Sequence, residues 1–238
     1  YIMLMSQVTT LQIGGPAKDF QVAKTESELI KIIMANQDFL VIGGGSNLLV
    51  SDKGVNKLII KNEIVGITTS KKGFLVPSAV EGDSFEVSAK SGTSLQDLVD
   101  YTIQHDLSGL QKLTGIPGTV GGALFGNAGA YGQTISDHLI EIKAFDGEKI
   151  ISLDKDECEF SYRDSVFKKN GWTILEIKFK LITDNPEKLL EQSNEVLQKR
   201  LIKYPPGIKC PGSFFKNIVA STLPKEILDK IPKEAIVF

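Results

Sequence analysis

The sequence turns on Gly115-Ile116-Pro117-Gly118-Thr119-Val120-Gly121-Gly122, followed after three apolar residues by Gly126-Asn127-Ala128-Gly129-Ala130-Tyr131-Gly132. The surrounding run, Leu113–Ser136, is 24 residues without a charge, and seven of them are glycine while only ten are apolar. A membrane span needs about 20 mostly apolar residues, so the run is read as a buried loop system. Each glycine placed in a regular element costs about 0.5–1 kcal/mol of conformational entropy. Such a composition suits backbone that must approach something flat or charged, and a large cofactor is the natural candidate. An irregular packed loop would explain the same residues.

Upstream, the apolar strand Phe39–Ile42 runs into Gly43-Gly44-Gly45-Ser46-Asn47. Consecutive glycines after a strand let successive N–H groups face one concavity, which suits a phosphate or pyrophosphate. A dinucleotide G-x-G-x-x-G starting at Gly43 would need glycine where Leu48 stands, and no helix follows. No Gly-Lys dipeptide occurs, which excludes a P-loop. A tight turn between two strands remains open for this motif taken alone. Two glycine-rich loops, far apart and without a Rossmann fingerprint, suggest a dinucleotide held between two subdomains.

Downstream stand Tyr162-Arg163-Asp164-Ser165 and Gly212-Ser213-Phe214-Phe215-Lys216-Asn217. Arginine can clamp a carboxylate with two parallel bonds, although the first motif taken in isolation reads rather as a surface Arg–Asp pair. Ser213 is open to three readings: nucleophile, acid or loop residue. The G-x-S-x-G elbow is absent, which disfavours a hydrolase triad. His105 and His138 are isolated and read as packing or surface residues. No His/Cys/Asp cluster has metal-ligand spacing, so no metal site is expected. Cys158 and Cys210 read as small hydrophobes.

Between these motifs the sequence predicts strands at Asp19–Lys24, Lys57–Lys61, Ile64–Ser70, Phe74–Ser78, Phe85–Ala89 and Thr173–Ile182. Asp146-Gly147 predicts a hairpin turn between Leu139–Phe145 and Lys149–Leu153. Capping boxes at Thr25–Glu28 and Thr93–Gln96 each predict a helix start. Asn185-Pro186-Glu187 begins a helix expected to reach about Tyr204 and to stop at Pro205-Pro206, and a short helix follows in LPKEILDKIPKEAI. This is an α+β pattern rather than a regular doubly wound sheet. The expected division is 1–70 and 71–184 as two subdomains, with 185–238 opening a third.

Composition agrees with a globular chain: 238 residues, 42% hydrophobic, 24% charged, net charge −2. That excludes wholesale disorder and the basic footprint of a nucleic-acid binder. Two cysteines point to a reducing compartment, and no secretory signal is visible. The opening on Tyr1 and the apolar ending Ala-Ile-Val-Phe lead us to expect a fragment whose last residues enter a core.

The runs VIGGGSNLLVSDKGV, LSGLQKLTGIPGTVGGALFGNAGAYGQTISD, FSYRDSVFK and PGSFFKN occur in this order. With Thr9–Ala17, TTLQIGGPA, they resemble the UDP-N-acetylenolpyruvoylglucosamine reductases, flavoenzymes of peptidoglycan precursor synthesis, over about Thr9 to Asn217. The resemblance implies an FAD-binding fold of the vanillyl-alcohol-oxidase type plus a C-terminal substrate domain. It implies one FAD, with no His or Cys in either loop to anchor it covalently, and NADPH as hydride donor. Gly43, Gly44, Gly45, Ser46 and Asn47 would cradle the pyrophosphate. Ile116, Pro117, Gly118, Thr119, Gly121, Gly122, Asn127 and Gly129 would line the rest of the flavin site. Arg163 matches the family's catalytic arginine and Ser213 its proton-donating serine. Tyr131, Tyr162, Lys216 and Asn217 would touch a small-molecule sugar-nucleotide substrate. A cytoplasmic enzyme follows, with no membrane or nucleic-acid partner, monomeric when complete. The family's further catalytic glutamate lies well after the serine. Only 25 residues follow Ser213 here, and neither Glu226 nor Glu234 matches that motif. The third domain is therefore expected to be incomplete, and the chain to bind flavin while turning over poorly. The competing readings are another flavin oxidoreductase of the same fold and a non-catalytic nucleotide-binding module.

Overall fold

The computed structural model describes residues 2–71, 83–212 and 216–232. The predicted strand at Phe74–Ser78, residue Ser213 and the apolar C-terminal residues lie outside them.

The first unit is a small parallel sheet. Strand β1 (Ala17–Ala23) leads into helix α1 (Glu26–Met34), then β2 (Phe39–Ile42) and β3 (Val55–Asn62). The capping box forms as the sequence predicts: the Glu28 amide donates to Thr25 Oγ1 at 3.2 Å, and the Thr25 amide donates to the Glu28 carboxylate at 3.1 Å. Strand β3 is central, parallel to β1 on one side and β2 on the other. That position explains three consecutive buried residues, Leu58, Ile59 and Ile60, because a central parallel strand is covered on both faces. Leu58 and Ile60 pack under Leu29 and Ile33 of α1, while Ile59 meets Met5, Ala17 and Ile42 on the other side.

The second unit is antiparallel. Strands β4 (Ile67–Lys71) and β5 (Ser84–Lys90) precede helix α2 (Leu95–Gln104), the short β6 (Leu107–Ser108) and helix α3 (Val120–Phe125). A two-stranded ribbon follows, β7 (Gly129–Ala130) and β8 (Gln133–Thr134). Next come the hairpin β9 (Leu139–Phe145) and β10 (Ile150–Leu153), the turn-length helix α4 (Phe167–Asn170) and the long β11 (Thr173–Thr183). The sheet runs β10-β9-β11-β5-β4, with β6 also on β11. Its core joins Val87, Leu98, Leu124, Ile142, Phe167 and Phe179.

Three sequence expectations need correction. Ile64–Ser70 is not one strand: β4 begins at Ile67, and Ile64 is buried in the core of the first unit. The second capping box does not form. Ser94, not Thr93, caps α2 by accepting from the Asp97 amide, because Thr93 Oγ1 is engaged by the Gly66 amide at 3.1 Å and Gln96 Oε1 by the Gly115 amide at 2.7 Å. The run 113–136 is not wholly loop, since α3 lies inside it. Val120 and Leu124 are fully buried, and that tertiary packing outweighs the poor helix propensity of Gly121 and Gly122.

Helix α5 (Pro186–Lys203) starts on the Asn185 cap and buries Leu189 and Val196. Ser193 Oγ lies 2.6 Å from Thr114 Oγ1, and Gln111 Nε2 donates to Gln192 Oε1 at 2.8 Å, so α5 lies on the body of the second unit. A short α6 (Lys225–Leu228) follows. Phe145 and Leu175 of the second sheet pack into the cluster beneath α1. There Glu26 takes the ammonium groups of Lys90 at 2.6 Å and Lys143 at 2.7 Å, and Lys90 also contacts Glu176. Among the described residues no helix is long and apolar enough to cross a membrane.

Candidate functional site

The two glycine-rich loops meet. Gly43–Asn47 leaves β2 without entering a helix, as the sequence predicts. A Cβ on Gly43 would lie 2.2 Å from Thr119 Oγ1, so no side chain fits between the loops there. Gly45 has φ +65°, and a Cβ on it would lie 2.0 Å from the Val8 carbonyl oxygen. Ser46 Oγ donates to the Pro117 carbonyl at 3.0 Å and ties one loop to the other. No hydrogen bond among the described residues uses the N–H of Gly44, Gly45, Ser46 or Asn47 as donor. Four successive amides without a partner inside the fold are donors that a phosphate or pyrophosphate can use, so these residues fit the group the sequence predicts.

The start of α3 is different. The amides of Val120 and Gly121 donate to the Thr93 and Ser91 carbonyls at 2.8 and 2.9 Å, and the Gly122 amide donates to its Thr119 cap at 3.2 Å. These donors are consumed inside the fold. Gly121 and Gly122 therefore offer no amide to a ligand, and a Cβ on Gly121 would lie 2.8 Å from Ser91 Cβ.

The third motif is locked onto this segment. Arg163 has a left-handed backbone, φ +55°, and its two terminal nitrogens donate to the carbonyls of Asn127 at 3.1 Å and Gly129 at 2.6 Å. Buried Asn127 (φ +41°) donates its side-chain amide to the Ser161 carbonyl at 2.9 Å and accepts from Ser136 Oγ at 2.9 Å. Ser165, wholly buried, donates to the Phe125 carbonyl at 2.7 Å. Tyr131 (φ +52°) and Gly132 (φ +78°) form the turn between β7 and β8, with positive φ at both positions as a type I′ turn requires. Asn127, Tyr131 and Arg163 are thus three of the six non-glycine residues with positive φ among those described. Backbone strain of this kind persists where surrounding structure enforces it, and it gathers at sites of function. Tyr162 stands half-exposed with its ring 5.5 Å from the Arg163 guanidinium, and its hydroxyl accepts from the Asn217 amide at 3.4 Å. Asn217, the last residue of the fourth motif, is thereby brought to the third, and Lys216 and Asn217 are both exposed.

A family model described as an FAD binding domain matches residues 20–149. A UDP-N-acetylenolpyruvoylglucosamine reductase of Solibacter usitatus is 34% identical over 237 residues, covering 98% of this chain and 72% of the relative. That of Agathobacter rectalis is 35% identical, covering 94% and 73%. The crystal structure of the Thermus caldophilus enzyme superimposes with a TM-score of 0.73 at 32% identity, covering 92% of this chain and 74% of that one.

The chain belongs to the UDP-N-acetylenolpyruvoylglucosamine reductase family.

Within this reductase family the two units described above are the FAD-binding fold of the vanillyl-alcohol-oxidase type, a flavoprotein fold. A cholesterol oxidase of Brevibacterium sterolicum shares that fold at a TM-score of 0.51 and 15% identity. The reductase motifs mark the glycine loops and Arg163; Ser136 and Ser165 lie in the same runs, but their bonds to Asn127 Oδ1 and the Phe125 carbonyl show only in three dimensions. A serine carries no sequence signal until its partner is known. Cys158 is buried, and burial, with Asp154 and Glu157 nearby, pushes its thiol up to about 12, which leaves it a packing residue. Among the described residues no group of three or more His, Cys, Asp or Glu could hold a metal ion.

Proposed function

We propose that this protein catalyses the FAD-dependent, NADPH-driven reduction of UDP-N-acetylglucosamine enolpyruvate to UDP-N-acetylmuramate, a step of peptidoglycan precursor synthesis. The observation that carries the reading is the fork of Arg163 on the Asn127 and Gly129 carbonyls, which fixes a cation against the flavin segment. Bound FAD supplies hydride transfer between NADPH and the enolpyruvyl double bond.

The chain's own residues supply the rest. The loop of Gly43, Gly44, Gly45, Ser46 and Asn47 takes the FAD pyrophosphate, and Ile116, Pro117, Gly118, Thr119, Gly121, Gly122, Asn127 and Gly129 wall the site. Two of the five guanidinium donors of Arg163 are held by carbonyls, and three remain for the substrate carboxylate. Negative charge grows on that carboxylate as the double bond is reduced, so a cation held in place stabilises the transition state more than the ground state. Ser213 is assigned the proton delivered to the neighbouring carbon, and Tyr131, Tyr162, Lys216 and Asn217 the sugar nucleotide. We assign 1–70 and 71–184 to the flavin and 185–238 to a substrate domain, in a cytoplasmic, monomeric enzyme. The flavin is held without a covalent bond, so acid precipitation is expected to release all of it into the supernatant.

The test is anaerobic. Protein reduced with one equivalent of NADPH is mixed with the enolpyruvyl sugar nucleotide, and the return of oxidised flavin absorbance is followed. Rapid reoxidation with formation of the muramate product is expected. Flavin that stays reduced with the enolpyruvyl substrate and is reoxidised only when oxygen is admitted would favour an oxidase of the same fold, and absence of flavin a nucleotide-binding module.

A further inference from the structure

A second guanidinium stands beside the glycine-rich segment, and no motif marks it. Near its C-terminal end α5 lays Arg200 against Gly115: a Cβ on Gly115 would lie 3.0 Å from Arg200 Nε and 3.1 Å from its Cδ. Gly115 (φ +73°) immediately precedes Ile116-Pro117, on the loop that Ser46 ties to Gly43–Asn47. The Arg200 guanidinium lies 5.6 Å from the Tyr204 ring. Its neighbour Lys199 places an ammonium 6.0 Å from the ring of Tyr131, the strained turn residue of the site. Arg200 Nε is buried and, among the described residues, has no hydrogen-bond partner. Burial pulls the arginine below its ordinary pKa. The groups that oppose this are the phenols of Tyr131 and Tyr204, and no carboxylate of the described residues acts with them.

This is unlike the two lysines of the Glu26 cluster. Lys90 contacts two carboxylates and Lys143 one. A half-buried cation with an unfilled donor costs free energy unless something fills it. A planar fork without an acid, beside glycine backbone, has the donor geometry for an anionic oxygen.

We infer that Arg200 is a ligand-binding residue, which with Tyr131 receives a phosphate oxygen of the bound dinucleotide or sugar nucleotide at the Gly115 edge of the site. The inference rests on the proposed function, since that supplies both phosphate sources. The residue binds and orients, and no bond is made or broken at it.

Two titrations separate the sources. Apoprotein is titrated with FAD by the quenching of flavin fluorescence, and holoprotein is titrated anaerobically with UDP-N-acetylglucosamine enolpyruvate by flavin difference absorbance. A charge-assisted bond of this kind is expected to shift one Kd by about tenfold to a hundredfold in Arg200→Met. A weakened FAD titration assigns the oxygen to the dinucleotide. An unchanged FAD titration with a weakened second one assigns it to the sugar nucleotide. Wild-type values for both, in a variant that melts with the wild type, overturn the role. Should Arg200→Met fail to fold, Arg200→Lys keeps the charge and lacks Nε, and wild-type affinities in that variant would overturn the role as well. Wild-type protein that binds neither ligand overturns the functional reading and this inference together, whereas wild-type binding with unaffected variants overturns Arg200 alone.

Discussion

Arg163 is held from three directions: its fork is fixed by two carbonyls, its own carbonyl accepts from Lys168 Nζ at 2.6 Å, and its backbone sits at φ +55°. Lysine at this position would keep a positive charge but lose the planar fork. Arg163→Lys is therefore expected to slow reoxidation of reduced flavin by the enolpyruvyl substrate about 10²–10³-fold. Reduction by NADPH should stay near the wild-type rate. Stopped-flow absorbance of the two half-reactions checks this, and equal losses in both would mean that the residue only supports the fold. Ser213→Ala is expected to show the same asymmetry, with a loss of about 10²–10⁴-fold in the second half-reaction. Gly45 makes a different prediction. A methyl group there meets the Val8 carbonyl oxygen and also imposes a side chain at φ +65°. The strain costs about 1–3 kcal/mol, and the loop must move to relieve it. Gly45→Ala is expected to lose FAD on gel filtration where wild type retains it. Full retention would show that the amides at 44–47 do not hold the pyrophosphate.

Helix α3 shows how a glycine-rich element is held. Its six residues would not persist alone. Thr119 caps it, Ser91 and Thr93 take its first amides, and Gly43 leaves room for the cap. Thr119→Ala is expected to cost about 1 kcal/mol, the ordinary worth of a threonine cap. Gly43→Ala should cost more, because its Cβ would lie 2.2 Å from Thr119 Oγ1. In the double variant that oxygen is gone, so the two losses should sum to more than the double loss, with a coupling of about 1 kcal/mol. Urea unfolding of the four proteins measures it, and strict additivity would mean that the two loops do not share this contact. At this scale the sequence was legible where signals are local. The Thr25 box, the Asp146-Gly147 hairpin and the Asn185-Pro186 start all depend on neighbours a few residues away. The Thr93 box failed because Gly66 and Gly115, distant in sequence, claimed Thr93 and Gln96.

Across the whole molecule the two sheets are joined by Phe145 and Leu175 and by the cluster of Glu26, Lys90, Lys143 and Glu176. Burial pushes the Glu26 carboxyl up, but the ammonium groups of Lys143 and Lys90 outweigh it and hold the pKa below the ordinary value. Burial likewise pulls Lys90 down, and Glu176 and Glu26 outweigh it and raise it. A depressed carboxylate contributes stability that is present above its unfolded pKa of about 4.3 and is lost as pH falls through the folded value. A raised lysine contributes stability that is present below about 10.4 and is lost as pH rises through its folded value. Glu26→Gln is expected to lower stability by about 1–2 kcal/mol at neutral pH. The difference from wild type should shrink as pH falls below about 4. Urea midpoints across pH 3–7 test this, and a difference independent of pH would assign the loss to packing instead.

The order of the motifs, the α+β class and the identity of the glycine loops were determined by the sequence itself, because glycine content, alternation and caps act within a few residues of where they are read. Which glycines keep an amide for a ligand and which spend it inside the fold was decided only in three dimensions: the amides of Gly44 and Gly45 have no partner among the described residues, whereas Gly121 gives its amide to Ser91. Arg163 was legible as a candidate, but its fork on Asn127 and Gly129 was not, and Arg200 carried no local signal at all. The physical reason is the same in each case. A residue type sets which bonds a side chain can make, and only chain topology, which brings positions such as 46 and 117 or 115 and 200 together, sets which of them it does make.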